Sequence, residues 1–189
     1  MTQTPKTIGV LALQGSFAEH ITMLTRLGAK AVPVRSLTDV KKFDGLIIPG
    51  GESTTIMQLL DSTELKAWLV QFAKAGKPIY GTCAGMIVLA NLGLIDIEVE
   101  RNAYGPQLYS FEAPLSFPCP LLSSPRRRGS IPGIFIRAPR VKTFKKGVHV
   151  LATHGKDPVL LEQKNILVGS FHPELTNDQK IHRYFLSLC

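Results

Sequence analysis

The feature that most limits how this chain can fold is a series of short, unbroken apolar runs, each followed by a segment of helical period. Residues 7–13 form such a run, with the continuous apolar character of a strand covered on both faces. Ser16 then stands where a helix cap is needed. Phe17, Ile21, Leu24 and Leu27 fall on one helical side, and Gly28 ends the segment. Residues 31–34 and 45–48 predict further strands, residues 54–60 and 64–75 further helices, and Gly76-Lys77-Pro78 returns the chain to a strand at Ile79-Tyr80. Strands that alternate with helices in this way need crossover connections. The predicted class is therefore three-layer α/β, a mostly parallel sheet with helices on both faces.

Residues 97–136 are richer in Pro, Gly and β-branched types and predict short antiparallel strands and loops appended to that sheet. Strands are expected again at 148–153, 159–161 and 167–170. Thr176 is placed to cap a closing helix that carries Ile181, Tyr184, Phe185 and Leu188. With 189 residues, 44% of them hydrophobic, residues 1–189 are expected to form one domain around a sizeable core.

Composition narrows the function classes. Cys83, Cys119 and Cys189 are odd in number, with neither a pairing pattern nor metal-ligand spacing, which predicts a reducing, cytoplasmic setting and no metal site. The first apolar run is too short for a signal-peptide core, and no stretch approaches the roughly 20 apolar residues of a membrane span. A net charge of +8 raises the question of an acidic partner. The charge is dispersed, however. Its one dense run, Arg126 to Arg128, lies in a loop-like Ser/Pro segment without interleaved aromatics, so nucleic acid is not the expected partner.

Ligands of an open parallel sheet bind beyond the carboxyl ends of its strands. Three unusual stretches fall at such ends: Gln14-Gly15, Gly50-Gly51-Glu52-Ser53 and Gly81-Thr82-Cys83. Gly-x-Cys-x-Gly between a strand and an apolar helix has the form of a nucleophile elbow, a tight turn that exposes the side chain while flanking glycines relieve crowding. The amides and dipole of the following helix favour thiolate over thiol. A packed structural cysteine in a glycine-rich turn is the alternative.

A thiol nucleophile needs a base, and the base needs an orienting group. Ser170-Phe-His-Pro-Glu-Leu-Thr176 offers both at the end of the last predicted strand. His172 and Glu174 lie two apart, so an extended backbone would turn both to one face, and Pro173 biases His172 away from helix. The carboxylate can set the imidazole tautomer and stabilise the imidazolium.

These stretches carry a resemblance. Leu13-Gln-Gly15, Pro49-Gly-Gly-Glu-Ser-Thr-Thr55, Gly81-Thr-Cys-Ala-Gly85, Val99-Glu-Arg-Asn102, Phe135-Ile-Arg-Ala-Pro139 and Ser170 to Thr176 are similar to the motifs of the glutaminase subunits of pyridoxal 5'-phosphate synthases, which are triad-type (class I) glutamine amidotransferases with a flavodoxin-like fold. The resemblance implies that Cys83 attacks the amide carbon of glutamine, with His172 as base and then acid and Glu174 orienting it, through a glutamyl thioester. It implies an oxyanion hole from the N–H groups of Gly51 and Ala84, and substrate binding by Gly51, Glu52, Ser53, Arg101, Ile136 and Arg137. No cofactor is implied. The implied partners are L-glutamine and a (β/α)8-barrel synthase subunit that receives the ammonia, with Gln14, Glu19 and His20 near enough to sense docking, Glu19 and His20 facing outward. His149, His154 and His182 fall on no motif and are expected to be structural or surface residues. Pro106, the short link Ala90-Asn-Leu92 and the arginine-rich segment depart from the family pattern and bear on the pocket rim. Another cysteine hydrolase of similar architecture, or a non-catalytic basic binding domain, are the competing classes.

Overall fold

The computed structural model describes residues 4–101, 103, 110–118 and 128–189. β1 (Thr7–Leu11) leads into α1 (Phe17–Arg26), then β2 (Lys30–Val34) and β3 (Gly45–Ile48). α2 (Ser53–Asp61) and α3 (Leu65–Lys74) precede β4 (Ile79–Thr82) and α4 (Ala84–Asn91). β5 (Ile97–Glu100), β6 (Phe111–Pro118), β7 (Arg128–Phe135) and β8 (Arg140–Phe144) follow. β9 (His149–His154), β10 (Asp157–Gln163), β11 (Ile166–Gly169) and α5 (Lys180–Leu188) close the chain.

The main sheet has seven strands in the order β2-β1-β3-β4-β11-β10-β9. Its first five strands are parallel, and β10 and β9 extend it as antiparallel neighbours. Strand order reverses at β1, with β2 on one side and β3 on the other, so the loops leaving β1 and β3 diverge and open a crevice. β5 pairs with β8, and β6 with β7, in two separate two-stranded sheets.

The apolar runs that predicted the strands are explained by burial on both faces. Ile47, Tyr80 and Leu167, in register across β3, β4 and β11, join Leu24 of α1 and Ile181 and Phe185 of α5 in one core. Their neighbours Leu46, Ile48, Ile79 and Val168 point the opposite way, into a second core with Ile56, Leu60, Leu65, Leu69 and Leu89 of α2, α3 and α4. α4 is buried from Ala84 to Leu89, so it is apolar all round rather than striped.

Several expectations are corrected. Ser16 precedes α1 but its side chain makes no cap bond. Thr176 does not cap the last helix: Gln179 occupies that position, while Thr176 Oγ1 donates to the carbonyl of Pro173 at 2.9 Å and accepts from the amide of Asp178 at 3.1 Å. The middle segment holds eight-residue strands, β6 and β7, rather than only short ones, stabilised by the Phe111–Phe135 stack at 4.6 Å. Cys119, Tyr104-Gly105-Pro106 and Arg126-Arg127 lie outside the described residues.

Candidate active site

The ends of several strands, β3, β4, β5, β7 and β11 among them, supply the site. β4 delivers Cys83 with φ 48° and ψ −104°, a left-handed conformation unusual for a residue with a Cβ and one that stores strain. The turn is held on both sides: the Cys83 amide donates to the Gly169 carbonyl at 2.7 Å, and the Cys83 carbonyl accepts from Met86 at 3.1 Å to start α4. The flanking glycines answer to backbone proximity. A Cβ on Gly81 would stand 2.7 Å from the backbone of Gly85, and one on Gly85 would stand 2.1 Å from the Ile48 carbonyl oxygen. Only hydrogens let β3, β4 and α4 approach this closely.

β11 delivers His172. Its amide donates to the Ile134 carbonyl at 2.8 Å, tying the segment to β7. The backbone then enters a short 3-10 turn, Pro173–Leu175, rather than the extended segment the two-residue spacing predicted. Glu174 still reaches back, and its Oε1 lies 2.8 Å from His172 Nδ1. Ser16 Oγ donates to the same oxygen at 2.7 Å. His20 Nε2 lies 3.4 Å from the other oxygen, Oε2.

Burial alone would push His172 down and Glu174 up. For His172 the hydrogen bonds with Cys83 and Glu174 outweigh burial and raise the imidazole to about 10. For Glu174 the neighbouring His20 and His172 rings and the Ser16 hydroxyl outweigh burial and hold the carboxyl at about 2. A carboxylate held ionised behind an imidazole that readily takes a proton, with a thiol in front, is chemically competent for nucleophilic attack.

In front of Cys83 and His172 lies a cavity of about 160 Å³ lined by Gly51, Glu52, Ser53, Ala84, Ile87, Arg101, Ile136 and Arg137. The structure thus brings every expected substrate-binding position to one cavity. Ala84 opens α4, so its N–H has no acceptor within the helix. Gly51 sits against Gln14, whose Oε1 accepts from the Glu52 amide at 2.7 Å. Cys83 Sγ lies 3.9 Å from the Ile136 carbonyl oxygen, and Arg137 holds a left-handed φ of 46° at the cavity edge.

Glu52 does more than line the cavity. Its carboxylate caps α2, accepting from the amides of Thr54 at 3.1 Å and Thr55 at 2.7 Å, bonds that hold it at about 2. It also pairs with Arg101 at 2.7 Å.

Of the outward-facing pair on α1, Glu19 is exposed, but His20 is fully buried. The ring points inward because position 20 lies three after Phe17 and four before Leu24, on the stripe that packs against the sheet. His182 is likewise no surface residue: it is fully buried, and its Nε2 lies 2.9 Å from His20 Nδ1. Ser16 stands at a cap position, and nothing in its spacing announces its bond to Glu174. The position of His20 on an apolar stripe was a signal that could have placed it in the core.

An elbow cysteine and a carboxylate-held imidazole beyond the carboxyl ends of the paired parallel strands β4 and β11 define an α/β protein that carries the side chains of cysteine-nucleophile chemistry in one cavity. The SNO glutamine amidotransferase family matches residues 10–189. Pyridoxal 5'-phosphate synthase subunit PdxT of Pseudothermotoga lettingae is 47% identical over 97% of this chain and 95% of its own length. The subunit of that name from Thermosipho africanus is 46% identical over 96% and 97%. A crystal structure of a glutamine amidotransferase superposes with a TM-score of 0.87 at 44% identity, covering 96% of this chain and 97% of its own. The structure of PurLQS from Thermotoga maritima, at 17% identity and a TM-score of 0.79, shares the fold. The chain belongs to the SNO glutamine amidotransferase family. Its reaction class is the release of nitrogen from the side-chain amide of glutamine.

Proposed function

We propose that Cys83, His172 and Glu174 form the catalytic triad of a glutaminase that feeds ammonia to pyridoxal 5'-phosphate synthesis. The observation that carries this reading is the placement of His172, which lines one cavity with Cys83 and has its Nδ1 2.8 Å from Glu174 Oε1.

Glutamine enters the cavity with its α-carboxylate toward the guanidinium groups of Arg101 and Arg137 and its ammonium toward acceptors of the Glu52 and Ile136 region. His172 takes the thiol proton, and Sγ attacks the amide carbon. The oxyanion is received by the N–H groups of Gly51 and Ala84, donors fixed before the reaction begins. Collapse of the tetrahedral intermediate breaks the C–N bond, and His172 returns its proton to the leaving ammonia. The glutamyl thioester is then opened by water, deprotonated by His172, releasing glutamate and restoring the thiol. Glu174 stays ionised throughout and holds the ring.

The name shared by the relatives from Pseudothermotoga and Thermosipho supports the partnership: a synthase subunit, a (β/α)8 barrel, that joins the ammonia to ribose 5-phosphate and glyceraldehyde 3-phosphate. Gln14, next to Gly51, and the exposed Glu19 of α1 are the residues placed to sense that subunit. Residues 1–189 act as one domain, in the cytoplasm. The free thiol of the nucleophile supports that reducing setting. Among the described residues no helix is long and apolar enough to cross a membrane.

The test is glutamate release from glutamine by wild type and Cys83→Ala, with and without a synthase barrel subunit. Activity that rises with the subunit and disappears in the variant supports the reading. Turnover that survives Cys83→Ala, or none in either mixture, overturns it.

A further inference from the structure

Behind the triad lies a second buried polar cluster that the mechanism above does not use. His20 of α1, His182 of α5 and Thr82 of β4 are all fully buried. His20 Nδ1 lies 2.9 Å from His182 Nε2, and His20 Nε2 lies 3.1 Å from Thr82 Oγ1 and 3.4 Å from Glu174 Oε2. Glu174 Oε2, His182 Nδ1 and Tyr80 OH are buried without a hydrogen-bond partner among the described residues. The Tyr80 ring packs edge-on against both imidazoles.

Proton placement decides what this cluster does. Burial lowers the tendency of both rings to charge, the effect outweighing the Glu174 carboxylate, so each ring is neutral and carries one N–H. Suppose His20 carries its proton on Nδ1. It must then donate to His182 Nε2, which forces the His182 proton onto Nδ1 as a buried donor with no acceptor. The bare Nε2 of His20 would also face a carboxylate oxygen. Suppose instead that the proton is on Nε2. His182 Nε2–H then donates to His20 Nδ1, His20 Nε2–H donates to Thr82 and faces Glu174, and the one orphan left on the two rings is a bare acceptor, His182 Nδ1. An orphaned buried N–H is the costlier defect, and a lone pair against a carboxylate is repulsive, so the second arrangement wins on both counts.

We infer that His20 is a positioning residue for Glu174: its Nε2–H, bonded to Thr82 Oγ1, is held 3.4 Å from Oε2 as an electrostatic support, with His182 fixing its tautomer. The carboxylate then has hydrogen bonds with His172 and Ser16 on Oε1, and the polar N–H of His20 stands 3.4 Å from Oε2. Its plane is fixed, and with it the direction in which His172 offers its other nitrogen to Cys83. Other groups that act electrostatically on His20 are His172 and, on its own helix, Glu19. The inference rests on the triad reading.

The first arm of the test uses the full-length wild-type chain labelled with 15N-histidine, since ring nitrogen shifts and couplings report tautomers directly. Neutral His20 protonated at Nε2 is the expected result, and protonation at Nδ1 overturns the proposal. This arm needs neither turnover nor a variant that folds. The second arm compares glutamate release, with the synthase barrel subunit present, by wild type, His20→Leu and His20→Gln, the glutamine amide replacing the Nε2–H donor. Leucine should lower kcat by roughly 10- to 10²-fold with little change in KM, as supporting-residue losses do, and glutamine should restore most of it. Equal losses in both variants, or an unchanged kcat in His20→Leu, overturn the proposal. Wild-type turnover that is lost in Cys83→Ala keeps the triad reading standing whatever His20 does; its absence would sink that reading while the tautomer still tests His20.

Discussion

Ser16 Oγ donates to Glu174 Oε1 at 2.7 Å across 158 residues of sequence, joining the loop before α1 to the turn after β11. The hydroxyl is one of the contacts that keep a buried carboxyl ionised. Ser16→Ala should lower kcat for glutamate release and cost about 1–3 kcal/mol of unfolding free energy, the range for hydrogen bonds to a buried charged group. Denaturant melts beside steady-state kinetics check it. A variant with unchanged stability and kcat would show the bond to be dispensable.

Gly85→Ala should be among the most damaging single-methyl changes in the chain. Its Cβ would meet the Ile48 carbonyl oxygen at 2.1 Å, and neither backbone can yield without moving β3 or α4. Overpacking of this kind costs about 1–3 kcal/mol. Displacement of α4 also carries Cys83 off its strained turn, so thermal stability and thiol alkylation rate should fall together.

Stability should depend on pH with opposite signs at the two ends of the scale. His172 rises in the folded state to about 10, so its contribution is complete below its ordinary value of 6.5 and is lost as pH climbs toward 10. His182 falls to about 3, so the unfolded chain binds the extra proton and stability is lost as pH drops from 6.5 toward 3. Glu174, held at about 2 against 4.5, adds a further loss between those values. Urea midpoints should therefore decline from pH 6.5 downward, and His182→Gln should flatten the upper part of that decline. An unaltered slope in the variant would assign the acid limb to other groups.

Glu52→Ala should show two separable effects. Loss of the α2 cap should lower stability by roughly 1 kcal/mol. Release of Arg101 from its 2.7 Å partner at the cavity wall should raise KM for glutamine, with a smaller effect on kcat. Arg101→Ala should reproduce the KM change without the full stability loss, and similar melts for the two variants would contradict the cap assignment.

The central strands β1, β3, β4 and β11 were legible because they are buried on both faces, which leaves an unbroken apolar run. Cys83 was legible for a related reason: the close packing of β3, β4 and α4 demands glycine at positions 81 and 85, and that demand is written in the sequence. The link between His172 and Glu174 was anticipated from a spacing of two, yet the backbone achieves it through a 3-10 turn, a geometry the spacing does not reveal. Hidden altogether were contacts joining distant segments. Neither Ser16 nor His182 belongs to a local pattern that names its partner, because what places them is the packing of α1 and α5 on the same face of the sheet.

Glu174 is a meeting point of the two extremities of the fold: Ser16 reaches it from the loop before the first helix and His20 from that helix, while His182, which orients His20, stands on the last. A chain emerging from the ribosome holds its cysteine for the synthesis of nearly a hundred further residues before the imidazole and its supports arrive. During that interval the thiol lacks the imidazole that the proposed triad gives it. On the proposed triad, turnover therefore waits on the last strand and the turn after it, which are made only in the closing stretch of the chain.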